Sequence, residues 1–573
     1  MSPKYTLFVG TFIQLPRFKS EEGHQLAITR GALWVSTADG TIEGFDWSIA
    51  NDRDLKRFLR HKGWTVVGYK DGHNKNKHGV EVTLVVAREE ENEFFFPGFI
   101  GMPPYPTHPN FPAYTTNTEK HPIDTHIHAP QYPNAGLFGD AGLLHWLKNY
   151  TFPIEASFGS SKFPSIPPPN AYRVYNQVVA RTLANGTTCA SYFATIHVPA
   201  TNLLASLCHA RGQRALIGRV CMDRPEQCPD DLRDESPDIA IDKTQASIDH
   251  IHTIDPEGAL IQPIVTPRFA PSCTPRSLGK LSKLAASYSP PLHIQTHLAE
   301  NLDELDLVKK LYPESRDYTS VYNYFKLLTP RTILAHCVHL SDDERTMIAE
   351  NDAKLSHCPA SNSALGSGIC EVRKAIDSGI TVGLGTDVSG GYSPSILETV
   401  RQACLVSRLL PHMSRAQPEE REGTPDDNDD KVPREVLSIE EALYLATRGG
   451  AAVVDMADQI GGFDQGMVWD AQMVKLGKFN PAGRWGKTGG VESAVDVFDE
   501  GQSWKEKVHK WVWNGDSRNV RMVWVGGRLV HRVWEEGEDR DGRGKGGWVR
   551  WVMGAVGVGA VGWVIVRRLG GGR

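Results

Sequence analysis

Residues 292–337 read Leu292-His-Ile-Gln-Thr-His297, then a helix-length amphipathic stretch over Asn301–Leu311, then Thr332-Ile-Leu-Ala-His-Cys337. Each outer run is short, apolar and β-branched, and each carries a histidine at its end. Two such runs joined by a helix form one strand–helix–strand unit of a parallel sheet. The same unit recurs on both sides of this stretch. Ile123–His128, Thr187–Phe193, Ala215–Cys221, Leu260–Thr266, Lys354–Cys358 and Ile380–Asp387 bring the strands to eight, and Ser341–Asn351 supplies another amphipathic connection. Near-continuous apolar strands imply a sheet covered on its outer face, and eight units closing on themselves make a (β/α)8 barrel of the α/β class. An open doubly wound sheet would give no reason for polar residues to gather at the strand ends.

The flanks differ. Residues 5–97 and 450–533 contain short strands with turn signals, such as Thr6–Phe12, Ala32–Thr37, Val80–Val86, Met473–Lys475 and Val520–Leu529. Val523-Trp-Val-Gly-Gly-Arg-Leu-Val530 resembles a hairpin with a Gly-Gly turn. The expected organisation is a small β-sandwich built from both termini, 5–97 and 450–533, beside a barrel over 98–449. Insertions at 101–123 and 414–433 interrupt the barrel. The segment 414–433 is acidic and proline-containing, which predicts a solvated loop. Residues 534–573 read as a charged, glycine-rich linker and an apolar tail without fixed structure. The run Trp551–Val566 is sixteen residues with four glycines, short of the roughly 20 residues that span a bilayer, so a membrane anchor is not expected.

Composition narrows the function. The 573 residues carry 62 Lys+Arg against 68 Asp+Glu, a net charge of −6 that argues against a nucleic-acid partner held by phosphate neutralisation. Hydrophobic residues at 40% exclude whole-chain disorder. The nine cysteines are odd in number and show no CxxC pairing, which predicts buried thiols in a reducing compartment. Thr6–Leu15 reads as a strand and not as a secretory signal. A cytoplasmic protein is the expectation.

The chemistry lies at the strand ends. Asp124-Thr-His126-Ile-His128 places two imidazoles on one face of a strand, about 6–7 Å apart at Cα, close enough to share one ion. His297, His336 and Asp387 end three other strands, and barrel geometry brings all these ends to one mouth. Three histidines and a carboxylate suit a borderline-soft divalent metal, most plausibly Zn2+, with a position left for water. Glu300 follows His297 by three residues and can overhang the metal without ligating it, where a proton shuttle is needed.

Here the chain resembles a known family. Pro97-Gly-Phe-Ile100, Asp124-Thr-His-Ile-His128, Thr296-His-Leu-Ala-Glu300, Ala335-His336 and Gly385-Thr-Asp387 are similar to the amidohydrolase superfamily. His128-Ala-Pro-Gln-Tyr132, Leu144–Pro153, Gly212-Gln-Arg-Ala215, Val220-Cys-Met-Asp223, Pro263–Phe269 and Gly385–Tyr392 resemble its guanine deaminase branch, from about Phe8 to Val530. The resemblance implies a zinc-dependent hydrolase acting on guanine, with one zinc per subunit held by His126, His128, His297 and Asp387. It implies substrate contacts from His128, Ala129, Pro130, Gln131, Arg268, Phe269, His297 and Asp387. Glu300, Asp387 and His336 would be the catalytic groups, and the assembly a homodimer. The physical reading agrees for three of these: Arg268 is a donor fork suited to a carbonyl, Gln131 can read a lactam edge, and Phe269 offers a stacking plane.

One departure stands out. In that family the strand holding Pro97–Ile100 runs straight into Asp-Thr-His; here Gly101–Ile123 intervenes with six prolines, and its composition and abrupt joins read as an in-frame retained intron. Two rival expectations follow: an amidohydrolase of another aminated heterocycle, or a scaffold that lost its metal to the insertion.

Overall fold

The eight apolar runs form eight parallel strands, which pair in chain order and close. They are Asp124–His128, Cys189–Phe193, Arg214–Gly218, Ile261–Pro267, His293–Leu298, Thr332–His336, Lys354–His357 and Thr381–Leu384. Closure comes from Leu384 opposite Asp124, and the third and fourth strands pair through Ala215 and Ile261. The computed structural model describes residues 3–20, 23–67, 79–98, 124–139, 142–160, 162–415, 432–478, 493–499 and 501–533. The insertion at 101–123, most of 414–433 and the segment 534–573 lie outside the described residues.

The expected strand Ile380–Asp387 ends earlier, at Leu384. Asp387 has a left-handed backbone (φ 46°), which Asp tolerates better than most residues. The turn nevertheless stays laced to the first strand. Asp387 N–H donates to the His126 carbonyl at 2.8 Å, and His128 N–H donates to the Val388 carbonyl at 2.9 Å. Asp124 accepts from the Thr386 backbone N–H at 2.9 Å and from its hydroxyl at 2.8 Å. The expected run Ala215–Cys221 is likewise divided at Arg219, whose buried guanidinium pairs with Asp234.

Both amphipathic connections are helices with reciprocal caps. Asn301 caps Leu302–Leu311 with Glu304 reaching back, and Ser341 caps Asp342–Glu350 with Glu344 reaching back. Beneath the barrel, Ala451, Val453 and Val454 pack with Leu216, Ile264 and Ile333, so the start of the C-terminal flank seals the floor.

Strands from both termini form one hydrogen-bonded set of nine. Tyr5–Gln14 pairs along its length with Ala27–Ser36, while its other edge is shared by Val80–Val86 and Glu93–Pro97. Glu93–Pro97 pairs in turn with Ala471–Lys475, and that strand with Val520–Val525. Three strand steps separate Tyr5–Gln14 from Val520–Val525, about 14 Å in a flat sheet. Yet the rings of Phe8 and Trp524 lie 5.2 Å apart, edge to face. The sheet therefore folds over an aromatic core of Phe8, Phe12, Phe95, Trp469 and Trp524, which gives the sandwich its two layers. The expected hairpin is present: Val520–Val525 turns through Gly526 (φ 58°) and Gly527 (φ 72°) into Arg528–Arg532, the double positive φ that favours glycine. A buried Arg214–Asp470 pair at 2.9 Å ties the sheet to the barrel.

All nine cysteines are buried and unbridged. Among the described residues, no helix is long and apolar enough to cross a membrane.

Candidate active site

The barrel's C-terminal mouth gathers the polar strand ends. His128 Nε2 lies 3.2 Å from His126 Nε2 and 3.1 Å from His297 Nε2. Asp387 Oδ1 is 3.1 Å from His126 Nε2 and 3.4 Å from His128 Nε2. A neutral imidazole has one N–H and one lone pair, so three ring nitrogens this close cannot satisfy one another as hydrogen bonds. Ligands held about 2.0–2.1 Å from a tetrahedral ion would sit about 3.3 Å apart, which is the spacing found. The donor set therefore fits a divalent metal. His297 supports the same conclusion: its Nδ1 donates to the Arg268 carbonyl at 2.6 Å, which turns the Nε2 lone pair inward. Burial holds His128 and His297 well below the ordinary histidine pKa, leaving both neutral and able to ligate. A second grouping, His126 with His336 and Asp387, shares the same centre.

Asp387 stays ionised. Burial acts against its charge, but the histidines around it, His126 foremost, bring its pKa down to about 2. Glu300 behaves oppositely. Burial pushes its carboxyl up to about 7, against the pull of His336, whose Nε2 lies 3.4 Å from Oε2. The Ser367 hydroxyl donates to Glu300 Oε1 at 3.2 Å, and Glu304 fixes the Glu300 backbone N–H at 2.8 Å. His336 Nδ1 donates to Asn362 Oδ1 at 2.9 Å, so its Nε2 faces both Glu300 and Asp387. Burial lowers the His336 pKa, but these two carboxylates outweigh it and the net shift is upward. One carboxyl that exchanges a proton near neutrality thus stands beside one that stays charged, the usual arrangement for acid–base work.

The centre opens into a pocket lined by Gln131, Trp146, Arg268, Phe269, Glu300 and Leu365, among others. Arg268 is buried, stacks over the Phe152 ring at 5.3 Å, and donates from Nη1 to Glu155 Oε2 at 2.7 Å. The other Glu155 oxygen accepts from Gln131 Nε2, also at 2.7 Å. Phe193 packs against the histidine cluster, its ring 4.6–4.9 Å from those of His126, His128 and His297.

The structure brings together His126, His128, His297, His336, Asp387, Glu300, Gln131, Arg268 and Phe269. Ala129 and Pro130 are buried in the short turn Ala129–Asn134 and do not line the pocket. Four supporting residues escaped sequence reasoning: Glu155, Ser367, Asn362 and Phe152. Phe152 lay in the run Leu144–Pro153 without being singled out, and Glu155 left a trace as a charge within the otherwise apolar segment Phe152–Ala156.

Comparison with known proteins agrees with this geometry. The amidohydrolase family profile matches residues 122–530. The chain is 46% identical over 408 residues to a probable guanine deaminase of Schizosaccharomyces pombe, covering 71% of this chain and 70% of the relative. It is 38% identical over 531 residues to guanine deaminase of Dictyostelium discoideum, covering 91% and 98% of the two chains. The solved guanine deaminase of C. acetobutylicum, with guanine bound in its active site, superimposes with a TM-score of 0.67 at 28% identity, over 92% of this chain and 100% of that one. A profile match across most of the chain, on a barrel whose mouth gathers the matching histidines and aspartate, establishes that the chain belongs to the amidohydrolase family.

Proposed function

We propose that the protein deaminates guanine by hydrolysis, giving xanthine and ammonia. The observation that carries the reading is the junction of two features in one pocket: the His126–His128–His297–Asp387 cluster, and the Gln131–Glu155–Arg268 chain on the wall beside it. The guanine deaminases among its relatives give the same direction. Zinc, one per subunit, is the cation the donor set suits, held by His126, His128, His297 and Asp387. A bound divalent cation supplies Lewis acidity that brings the pKa of water towards neutrality.

The remaining steps belong to the chain's own residues. Arg268 and Gln131 orient the lactam edge of guanine, and Phe269 stacks on the purine. Asp387 and His336 hydrogen-bond the attacking water and align it. The water oxygen bonds to C2, which carries the exocyclic amine. Glu300, with a pKa near 7, accepts a proton from the water, passes it to ring N3, and assists a second transfer to the amine, which leaves as ammonia. One guanine and one water become one xanthine and one ammonia, so atoms and charge balance.

Ammonia release from guanine, ammeline and cytosine, compared on the purified protein, tests the reading. Turnover of guanine alone supports it; no release from guanine ends it. Arg268→Ala should raise KM for guanine roughly 10- to 100-fold with a smaller change in kcat, the scale of one lost charge-assisted hydrogen bond. An unchanged KM would place guanine elsewhere in the pocket. The proposed setting is the cytoplasm, which the nine buried thiols support. The proposed assembly is a homodimer, supported by the exposed row Leu405, Leu409 and Met413 on the helix Ile396–Arg415; a monomeric sedimentation coefficient would refute it.

A further inference from the structure

Glu155 does not itself line the pocket, yet it is fully buried and binds two residues that do, Gln131 and Arg268. Its oxygens divide the work: Oε2 takes Arg268 Nη1 and Oε1 takes Gln131 Nε2, each at 2.7 Å. A buried carboxylate accepts hydrogen bonds and donates none. The side-chain amide of Gln131 has a donor end and an acceptor end, and Glu155 can bind only the donor end. The acceptor, Oε1, is thereby turned away from Glu155, on the side where the Ser389 backbone N–H and hydroxyl approach it at 3.4 Å.

We infer that Glu155 is the positioning residue for substrate specificity, because it fixes the hydrogen-bond polarity that the pocket wall presents to a purine. This rests on the guanine reading above and gives it a chemical discriminant. With Glu155 holding the Arg268 guanidinium and the Gln131 amide nitrogen, the wall offers a donor from Arg268 and, at Gln131, an oxygen only loosely held by Ser389 at 3.4 Å in place of an N–H. A 6-oxopurine presents the complement, a carbonyl acceptor at C6 and a donor at N1–H. A 6-aminopurine presents the reverse, a donor at C6 and an acceptor at N1, and would set donor against donor and acceptor against acceptor. Buried hydrogen-bonding sites reject such mismatches strongly, since each leaves a polar group without a partner.

The variant Glu155→Gln reverses the logic. With the oxygen of the substituted side chain still on Arg268, its new amide nitrogen would face Gln131, whose carbonyl must turn to accept from it. The donor end of Gln131 then faces the pocket. Guanine and 2,6-diaminopurine both carry the 2-amino group that leaves and differ only at the edge being read. The experiment is the ratio of kcat/KM for guanine to kcat/KM for 2,6-diaminopurine, in wild type and variant, with metal content measured on both. The ratio should fall at least 10-fold in Glu155→Gln while the metal remains, because guanine loses and diaminopurine gains.

A purely structural role would lower both substrates together and leave the ratio unmoved, and that result overturns the inference. Guanine turnover by wild type combined with an unmoved ratio leaves the guanine reading standing; absence of wild-type turnover removes both. If Glu155→Gln does not fold, Glu155→Asp gives the same reading, because it keeps the charge against Arg268 but is too short to reach both donors. Its ratio should fall at least threefold, and an unchanged ratio is again the overturning result.

Discussion

Glu300→Gln should purify with its metal and release ammonia from guanine at least about 10²-fold more slowly than wild type, the scale of a lost acid–base group. The variant keeps the shape and burial of the side chain and removes only its capacity to exchange a proton. Glu300 accepts from Ser367 at Oε1, a contact the amide oxygen of Gln can still make. Its partner across the gap is His336 and not the cluster His126–His128–His297, so metal content should be unaffected. Steady-state kinetics and metal analysis on one preparation check both halves. Retained turnover would remove Glu300 from the chemistry, while loss of metal would make it a ligand.

His297→Ala should lose both metal and activity. The substitution removes a nitrogen 3.1 Å from His128 Nε2 and breaks the bond from Nδ1 to the Arg268 carbonyl, so ligand geometry and pocket wall suffer together. Lewis acidity accounts for several kcal/mol of transition-state stabilisation, so turnover should fall by about 10³-fold or more. Elemental analysis should find well under one divalent ion per chain. Chelated wild type should recover on adding Zn2+ and the variant should not. A variant retaining stoichiometric metal would exclude His297 from the ligand set.

The proposed ligands were legible as a cluster because their spacing is local or topological. His126 and His128 share a strand face, and His297 and His336 end their strands, so the barrel alone predicts that they meet. Asp387 lies three residues past the end of its strand, and reaches the centre because the Thr386–Asp124 and Asp387–His126 bonds hold that turn against the first strand. Glu155 could not be read in the same way. It sits 24 residues from Gln131 and 113 from Arg268, and neither interval follows a strand or helix period. Most of the terminal strands were recognisable from their turns, but Ile42–Asp46, Trp64–Val66 and Glu93–Pro97 were not. Their order was not, because Glu93–Pro97 pairs with a strand that follows the whole barrel.

That pairing has a bearing on how the protein is made. Glu93–Pro97 is fully buried in the finished molecule, between Tyr5–Gln14 on one edge and Ala471–Lys475 on the other. During translation, the phenylalanines at 94, 95 and 96 emerge early and find Tyr5–Gln14 on one edge, but the other edge has no strand to cover it until Lys475 has cleared the ribosome. Nascent chains at this stage carry an uncovered aromatic edge, the kind of surface that chaperones retain and that aggregates when they do not. Truncations short of residue 475 should therefore expose a strand that lies near the other end of the chain from the cut.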